Sequence, residues 1–268
     1  MVSISHHLAR RLESAEAQDG VGCVTAQILL DPYAGAICEP LAGGKMLFAG
    51  ADSPLTHALG LGFERAFTDD DAAGMEEFFH SRGSAISVDV SPYADPSLPE
   101  ILSKRHYRLS EFTTVLVRQI ALGEQLQQMA DQPSARLALP CEAEAYGDTV
   151  VRGFFGRDEV TAEERNLGRV LFAIPGTLAY FAEFDGVVAG CGQMGIHSGV
   201  ATCFGDSTLV AYRRRGAHAA VIRARLAAAV AHGCDLITAG TSPGSVSQRD
   251  YERQGFHVAY TKATMVLD

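Results

Sequence analysis

Two distant stretches of this chain repeat one layout: ISVDVSPYADPSLPEILSKRHYRLSEFTTVLV from Ile86 to Val117, and LITAGTSPGSVSQRDYERQGFHVAYTKATMVL from Leu236 to Leu267. Each opens on a short β-like run, passes a Ser-Pro dipeptide (Ser91-Pro92, Ser242-Pro243) and continues into a short helix-like segment. Each then places an aromatic residue, Tyr107 or Phe256, before a closing β-like run. Each is also preceded by a glycine that ends a helical pattern, Gly83 after MEEFFHSR and Gly233 after RLAAAVAH, where a left-handed helix stop is expected. Agreement of the whole order predicts two structurally related halves, and 268 residues suffice for two ordinary domains. The polar, Gln-rich stretch from Ala121 to Ala135 marks the boundary. The expected organisation is a first domain over 1–122, a connector over 123–132 and a second domain over 133–268.

A hydrophobic content of 47% with 20% charged residues describes a chain that buries a full core. Its net charge of -10 argues against non-specific nucleic-acid binding. No apolar run is long enough to span a bilayer, so no membrane partner is expected. The first residues lack the continuous apolar stretch of a secretory signal; Ile4, Leu8, Leu12 and Ala15 instead have the spacing of an amphipathic helix. The six cysteines form no C-x-x-C pair, and most read as small buried hydrophobes in a reducing compartment. Nine histidines without ligand spacing predict no metal site. A cytoplasmic location is the expectation.

The second half reads as α/β with a mixed sheet. Asp185-Gly186 and His197-Ser198-Gly199 are turn signals between β-like runs, which predicts three adjacent antiparallel strands near 179–184, 187–196 and 200–210. A helix from about Ala217 to His232, a strand at Leu236–Thr241, a short helix at Ser247–Gln254 and a last strand at His257–Leu267 follow.

Between the third strand and the long helix stands YRRRGAH, a concentration of positive charge in an acidic chain. Arginines often decorate a solvated helix face, but a helix N-terminus also offers unpaired N–H groups and the positive end of the helix dipole. Gly216 leaves the backbone open to an anion, and the arginines are available to its outer oxygens. No G-x-G-x-x-G follows the strand, and AGGKM, Ala42 to Met46, lacks the residues of a P-loop and reads as a hairpin turn.

Arg213-Arg214-Arg215-Gly216-Ala217-His218-Ala219, after Thr208-Leu209-Val210, resembles the acyl-CoA pyrophosphate loop of the GNAT N-acetyltransferase superfamily, whose pattern is Arg/Gln-x-x-Gly-x-Gly/Ala. His218 stands where Gly or Ala is usual. Tyr251-Glu252-Arg253-Gln254-Gly255-Phe256 matches the superfamily's second signature, Tyr-x-x-x-Gly-Phe, in full. The usual Asn seven residues before that Tyr is replaced by Gly244, with Ser245 or Ser247 as substitutes. The likeness is specific over about 179–268, loose over 133–178 and architectural over the first half.

The resemblance implies two tandem GNAT-like acyl-CoA N-acyltransferase domains, the second one active. In the first, His57-Ala58-Leu59-Gly60-Leu61-Gly62 keeps glycines but no arginine cluster, and Asp69 to Asp71 lead into the next helix, where they suit capping and repel phosphate. That domain is expected to be degenerate. The resemblance further implies acetyl-CoA as co-substrate and a small-molecule amine as acceptor, with homodimerisation left open. The amine attacks the thioester directly. Backbone groups near Leu209 and Val210 pair with the pantetheine arm, and one N–H there stabilises the oxyanion. Arg213, Arg214, Arg215, Gly216, Ala217, His218 and Ala219 hold the diphosphate, Ser247 adds a contact, and Tyr251 protonates the departing thiolate. Glu142, Glu144, Glu183 and Asp206 are the carboxylates in the right half for a base; Cys203 reads as a buried thiol. The alternative is a non-catalytic GNAT-fold protein that binds acyl-CoA or serves as a regulatory module.

Overall fold

The computed structural model describes residues 4–51, 53–121, 123–125 and 133–268; most of the expected connector lies outside them. In chain order the elements are α1 (His6–Leu30), β1 (Ile37–Leu41), β2 (Gly44–Phe48), β3 (His57–Leu59), α2 (Asp69–His80), β4 (Ile86–Val90), α3 (Ser97–Lys104) and β5 (Arg108–Gln119). They continue with β6 (Ser134–Leu137), α4 (Ala143–Phe155), α5 (Ala162–Phe172), β7 (Leu178–Phe184), β8 (Val187–His197), β9 (Val200–Thr208), α6 (Ala217–Ala231), β10 (Leu236–Thr241), α7 (Val246–Arg253) and β11 (His257–Leu267). These elements form two compact units, Met1–Val115 with Val258–Asp268, and Leu116–His257.

In the first unit the strands run β1-β2-β3-β4-β11. AGGKM is a hairpin turn, with Ala42 and Gly43 at φ 46° and 85° between antiparallel β1 and β2. Successive strand residues face opposite ways. Met46, Phe48, Ala58 and Val88 meet Met75 and Phe79 of α2 and Leu98 and Leu102 of α3, while Leu47 and Leu59 meet Ala17 and Val24 of α1. Helix α2 begins on a capping box: Thr68 Oγ1 accepts from Asp71 N–H at 3.2 Å, and Asp71 Oδ2 accepts from Thr68 N–H at 2.9 Å.

Strand β11, expected in the second domain, belongs to the first unit. It pairs antiparallel with β4 from Ala263↔Val90 to Leu267↔Ile86. Lys262 is 1% exposed, with Nζ 2.6 Å from Glu16 Oε2 and 3.0 Å from Asp89 Oδ2. Tyr260 O–H donates to Glu13 Oε1 at 2.7 Å. Burial alone would lower the Lys262 pKa, but the carboxylates of Glu13, Glu16 and Asp89 hold it well above the ordinary value. A buried ammonium is stable only beside such partners, and they all come from α1 and β4.

In the second unit the strands run β10-β9-β8-β7-β6. The three central strands form the expected meander, turned at Asp185-Gly186 and Ser198-Gly199, all with positive φ. Strand β10 lies parallel to β9 after the α6 crossover. Met194, Ala201 and Cys203 pack on Ile222 and Leu226 of α6, while Cys191 and Phe181 pack on Tyr146 and Val150 of α4. Helices α4 and α5, absent from the sequence reading, cross where Gly147 meets Gly168: a Cβ on Gly168 would lie 2.5 Å from Gly147 O. Among the described residues no helix is long and apolar enough to cross a membrane.

Candidate functional site

Parallel pairing between β9 and β10 runs from Val200↔Leu236 to Cys203↔Ala239 and then stops, although β9 continues to Thr208 and β10 to Thr241. The break coincides with a bulge. Gly205 sits at φ 65°, and the β8–β9 register shifts between Cys191 and Gln193. The extra residue explains a departure from strand alternation: Cys203 and Asp206, three positions apart, both meet the α6–α7 side, Cys203 in the core with Tyr251 and Asp206 against Arg225.

A single 3-10 turn, Val210–Tyr212, joins β9 to the arginine loop. Arg214 takes a left-handed conformation at φ 60° and Gly216, the residue before α6, one at φ 89°. The N-cap residue Gly216 has no side chain to cap α6, and among the described residues no side-chain acceptor meets the amides of its first turn, around Ala217, His218 and Ala219. In the first unit the corresponding helix start is closed by its own capping box, and Arg65 holds Asp71 at 2.6 Å.

The three arginines do different things. Arg213 Nη2 donates to Gly153 O at 2.9 Å and its Nε to Thr208 O at 3.3 Å, bracing the end of α4 against the loop. Arg215 lies 4.4 Å over the Phe184 ring, itself stacked on Tyr212. Arg214 is exposed. At the expected pantetheine contact, Leu209 N–H already donates to Ala189 O at 2.9 Å, and Leu209 O accepts from Tyr212 N–H at 2.8 Å. The strand edge left without β10 is therefore Phe204–Thr208, just before Leu209 and Val210.

Beneath the parted strands lies a buried polar cluster. Tyr251, fully buried, donates its O–H to Asp206 Oδ2 at 2.5 Å and accepts from Arg225 Nη2 at 2.9 Å. Arg225, also fully buried, reaches Asp206 Oδ1 at 2.6 Å and Gln193 O at 3.0 Å. His218 Nε2 lies 3.1 Å from Asp206 Oδ2 and its Nδ1 3.2 Å from Asp250 Oδ2. Burial would raise the Asp206 pKa, but Arg225 and His218 bring it down to about 2. Burial pushes the Tyr251 phenol well above its ordinary value, and the Asp206 charge adds to that. For His218 burial acts downward, yet Asp206 and Asp250 lift the imidazole to about 9.

Of the expected bases, Glu142 and Glu183 share Arg136, at 2.7 and 2.8 Å, and Glu144 is exposed in the first turn of α4. Asp206 is held by Arg225. Ser247 lies in the first turn of α7, while Ser245 caps that helix by accepting from Gln248 N–H at 3.1 Å. Sequence reading did not single out Arg225. A signal was present, because Arg225 follows His218 by seven residues and so shares its helix face among Val221, Ile222 and Leu226.

Similar solved structures carry one fold. A GCN5-related N-acetyltransferase from Kribbella flavida matches with a TM-score of 0.70 at 17% identity, covering 97% of this chain and 95% of that one. A tandem GNAT protein from the clavulanic acid biosynthesis pathway matches at 0.59 and 14% identity, over 84% of this chain and 78% of its own. A GCN5-related N-acetyltransferase from Sphaerobacter thermophilus matches at 0.56 and 16% identity, over 74% and 66%. No family model and no curated protein matches the sequence. The chain thus has the mixed α/β fold of the GCN5-related N-acetyltransferases, and its likeness to the tandem protein extends over both units.

Proposed function

We propose that this protein is an acetyl-CoA-dependent N-acetyltransferase acting on a small amine, with its site in the second unit. The observation that carries the reading is the parting of β9 from β10 after Cys203 and Ala239, followed directly by an uncapped, glycine-led helix start. The residues fit the cofactor: a Cβ on Gly216 would meet little but Pro133, at 3.4 Å, so the amides of Gly216, Ala217, His218 and Ala219 are approachable by a diphosphate. Arg214, which is exposed, is the guanidinium we assign to its oxygens, while Arg213 and Arg215 hold the loop in shape through Gly153, Thr208 and Phe184. The edge Phe204–Thr208 offers backbone groups to an extended arm, with Leu209 and Val210 at its end; Ser247 remains a candidate contact from α7. Acetyl-CoA supplies an activated acetyl thioester.

Tyr251 holds its proton at Oη throughout the neutral range, as a donor to a thiolate must. For that role the hydroxyl must exchange Asp206 Oδ2 for the sulfur, with Arg225 remaining on the phenol oxygen. A second reading, acyl-CoA binding without catalysis, is favoured by the engagement of that proton with Asp206.

Acetyl-CoA is expected to raise the melting temperature of the wild type and leave that of Gly216→Asp unchanged, because a carboxylate would sit where the diphosphate binds. No shift in the wild type at saturating acetyl-CoA sinks the proposal. Tyr251→Phe separates the two readings. A loss of thiol release of about 10–100-fold with acetyl-CoA affinity nearly unchanged supports proton donation. Thiol release at the wild-type rate assigns Tyr251 to the core, and no release from wild type across a panel of amines favours binding alone.

A further inference from the structure

His218 is where the phosphate loop departs from the small residue usual in the superfamily pattern, and its ring turns inward. It occupies the first turn of α6, and its edge meets the Tyr251 ring with centroids 5.4 Å apart at 81°. Both ring nitrogens face carboxylate oxygens, Nε2 that of Asp206 on β9 and Nδ1 that of Asp250 on α7. A neutral imidazole has one N–H and would turn a lone pair on one carboxylate; only the imidazolium donates to both. The other charged or titratable groups around it are Arg225 on its own helix, Tyr251 on α7, and Arg253, which pairs with Asp250 at 2.7 Å. Asp206 Oδ2 is shared, serving His218 and Tyr251 alike.

We propose that His218 is a positioning residue for Tyr251: as an imidazolium bridging Asp206 and Asp250, it fixes the first turn of α6 against α7 and shares the oxygen that holds the Tyr251 proton. The inference rests on the acetyltransferase reading and deepens it. With the bridge formed, Asp206 Oδ2 divides its accepting capacity between two donors and releases the phenol proton more readily. With a neutral ring one of the two contacts is lost: either Asp206 holds Tyr251 without His218, or the first turn of α6 loses its bond to Asp250 of α7. The raised imidazole pKa, about 9, agrees with a bridge formed at neutral pH.

The test has a spectroscopic and a kinetic arm. In protein labelled with ¹⁵N-histidine, with His218 assigned from the spectrum of His218→Ala, both ring nitrogens are expected to be protonated at pH 7.5. Asp250→Asn, which leaves the contact of Asp206 with Tyr251 in place, is expected to lower the titration midpoint. A singly protonated ring at pH 7.5, or a midpoint unmoved by Asp250→Asn, overturns the proposal. In the kinetic arm, thiol release from acetyl-CoA is followed with a panel of small primary amines. His218→Ala, which restores the superfamily's usual residue, is expected to keep the acetyl-CoA Kd within about threefold, lower kcat about tenfold and lose the alkaline limb of the pH profile. Added imidazole is expected to restore part of that rate. Wild-type turnover matched by His218→Ala, alkaline limb included, overturns this inference alone; no binding or release by wild type overturns the acetyltransferase reading and this inference with it.

Discussion

Around Asp206 of β9, four side chains from α6 and α7 gather: Arg225 and His218 supply positive charge, Tyr251 a hydroxyl, and Asp250 the second acceptor for His218. Such a cluster is stable only when complete, because any member left alone is a buried charge or an unpaired donor. The pH dependence follows from His218. Its pKa is higher in the fold, about 9, than in the unfolded chain, about 6.5, so its stabilisation is fully present below the lower value and fades as pH rises through the higher. The stability difference between wild type and His218→Ala, measured by urea unfolding, is therefore expected to be on the order of 3 kcal/mol near pH 6 and to shrink toward zero near pH 10. A difference that grows with pH would contradict this account. At this scale the sequence names the loop and Tyr251 as candidates, since local patterns single them out. It did not disclose what Arg213 and His218 touch, because side-chain direction depends on helix packing that no local spacing encodes.

At the scale of elements, glycine does two kinds of work. In the turns it allows positive φ, and those positions were legible: Asp185-Gly186 and Ser198-Gly199 delimit β7, β8 and β9 close to where the alternation placed them. Inside α4 it allows close approach. Gly147 faces Gly168 of α5, and a Cβ on Gly153 would lie 2.8 Å from Ser207 Cβ of β9. The same glycines weaken the local helix signal, which is why α4 was hidden in a segment that the tertiary packing makes helical. Gly168→Ala keeps helix propensity favourable yet forces a methyl toward Gly147 O. It is expected to cost about 1–3 kcal/mol in chemical denaturation, against the gain that Ala brings to an unconstrained helix. Unchanged or increased stability would mean that the two helices have room to separate.

At the scale of the whole molecule, the repeat visible in the sequence corresponds to two strand–helix–strand runs, β4-α3-β5 and β10-α7-β11, but the division of the chain into units does not follow its order. The last strand lies with the first unit, drawn there by β4 and by the three carboxylates around Lys262. Nothing local announces this, because His257–Leu267 has the alternating character of a strand for either unit. Lys262→Met removes the cation from a buried acidic cluster and is expected to destabilise the first unit by about 3–5 kcal/mol. Hydrogen exchange should then accelerate in β2, β4 and β11 while β7, β8 and β9 keep their protection; acceleration confined to the second unit would refute the assignment.

This arrangement bears on biosynthesis. When residue 115 is added, the segment that completes the sheet of residues 6–115 is still roughly 150 codons from being read in full, a delay of about 8–30 s at ordinary elongation rates. Throughout that interval the edge of β4 that β11 will cover stays bare, and the acidic side chains of α1 and β4 await their lysine.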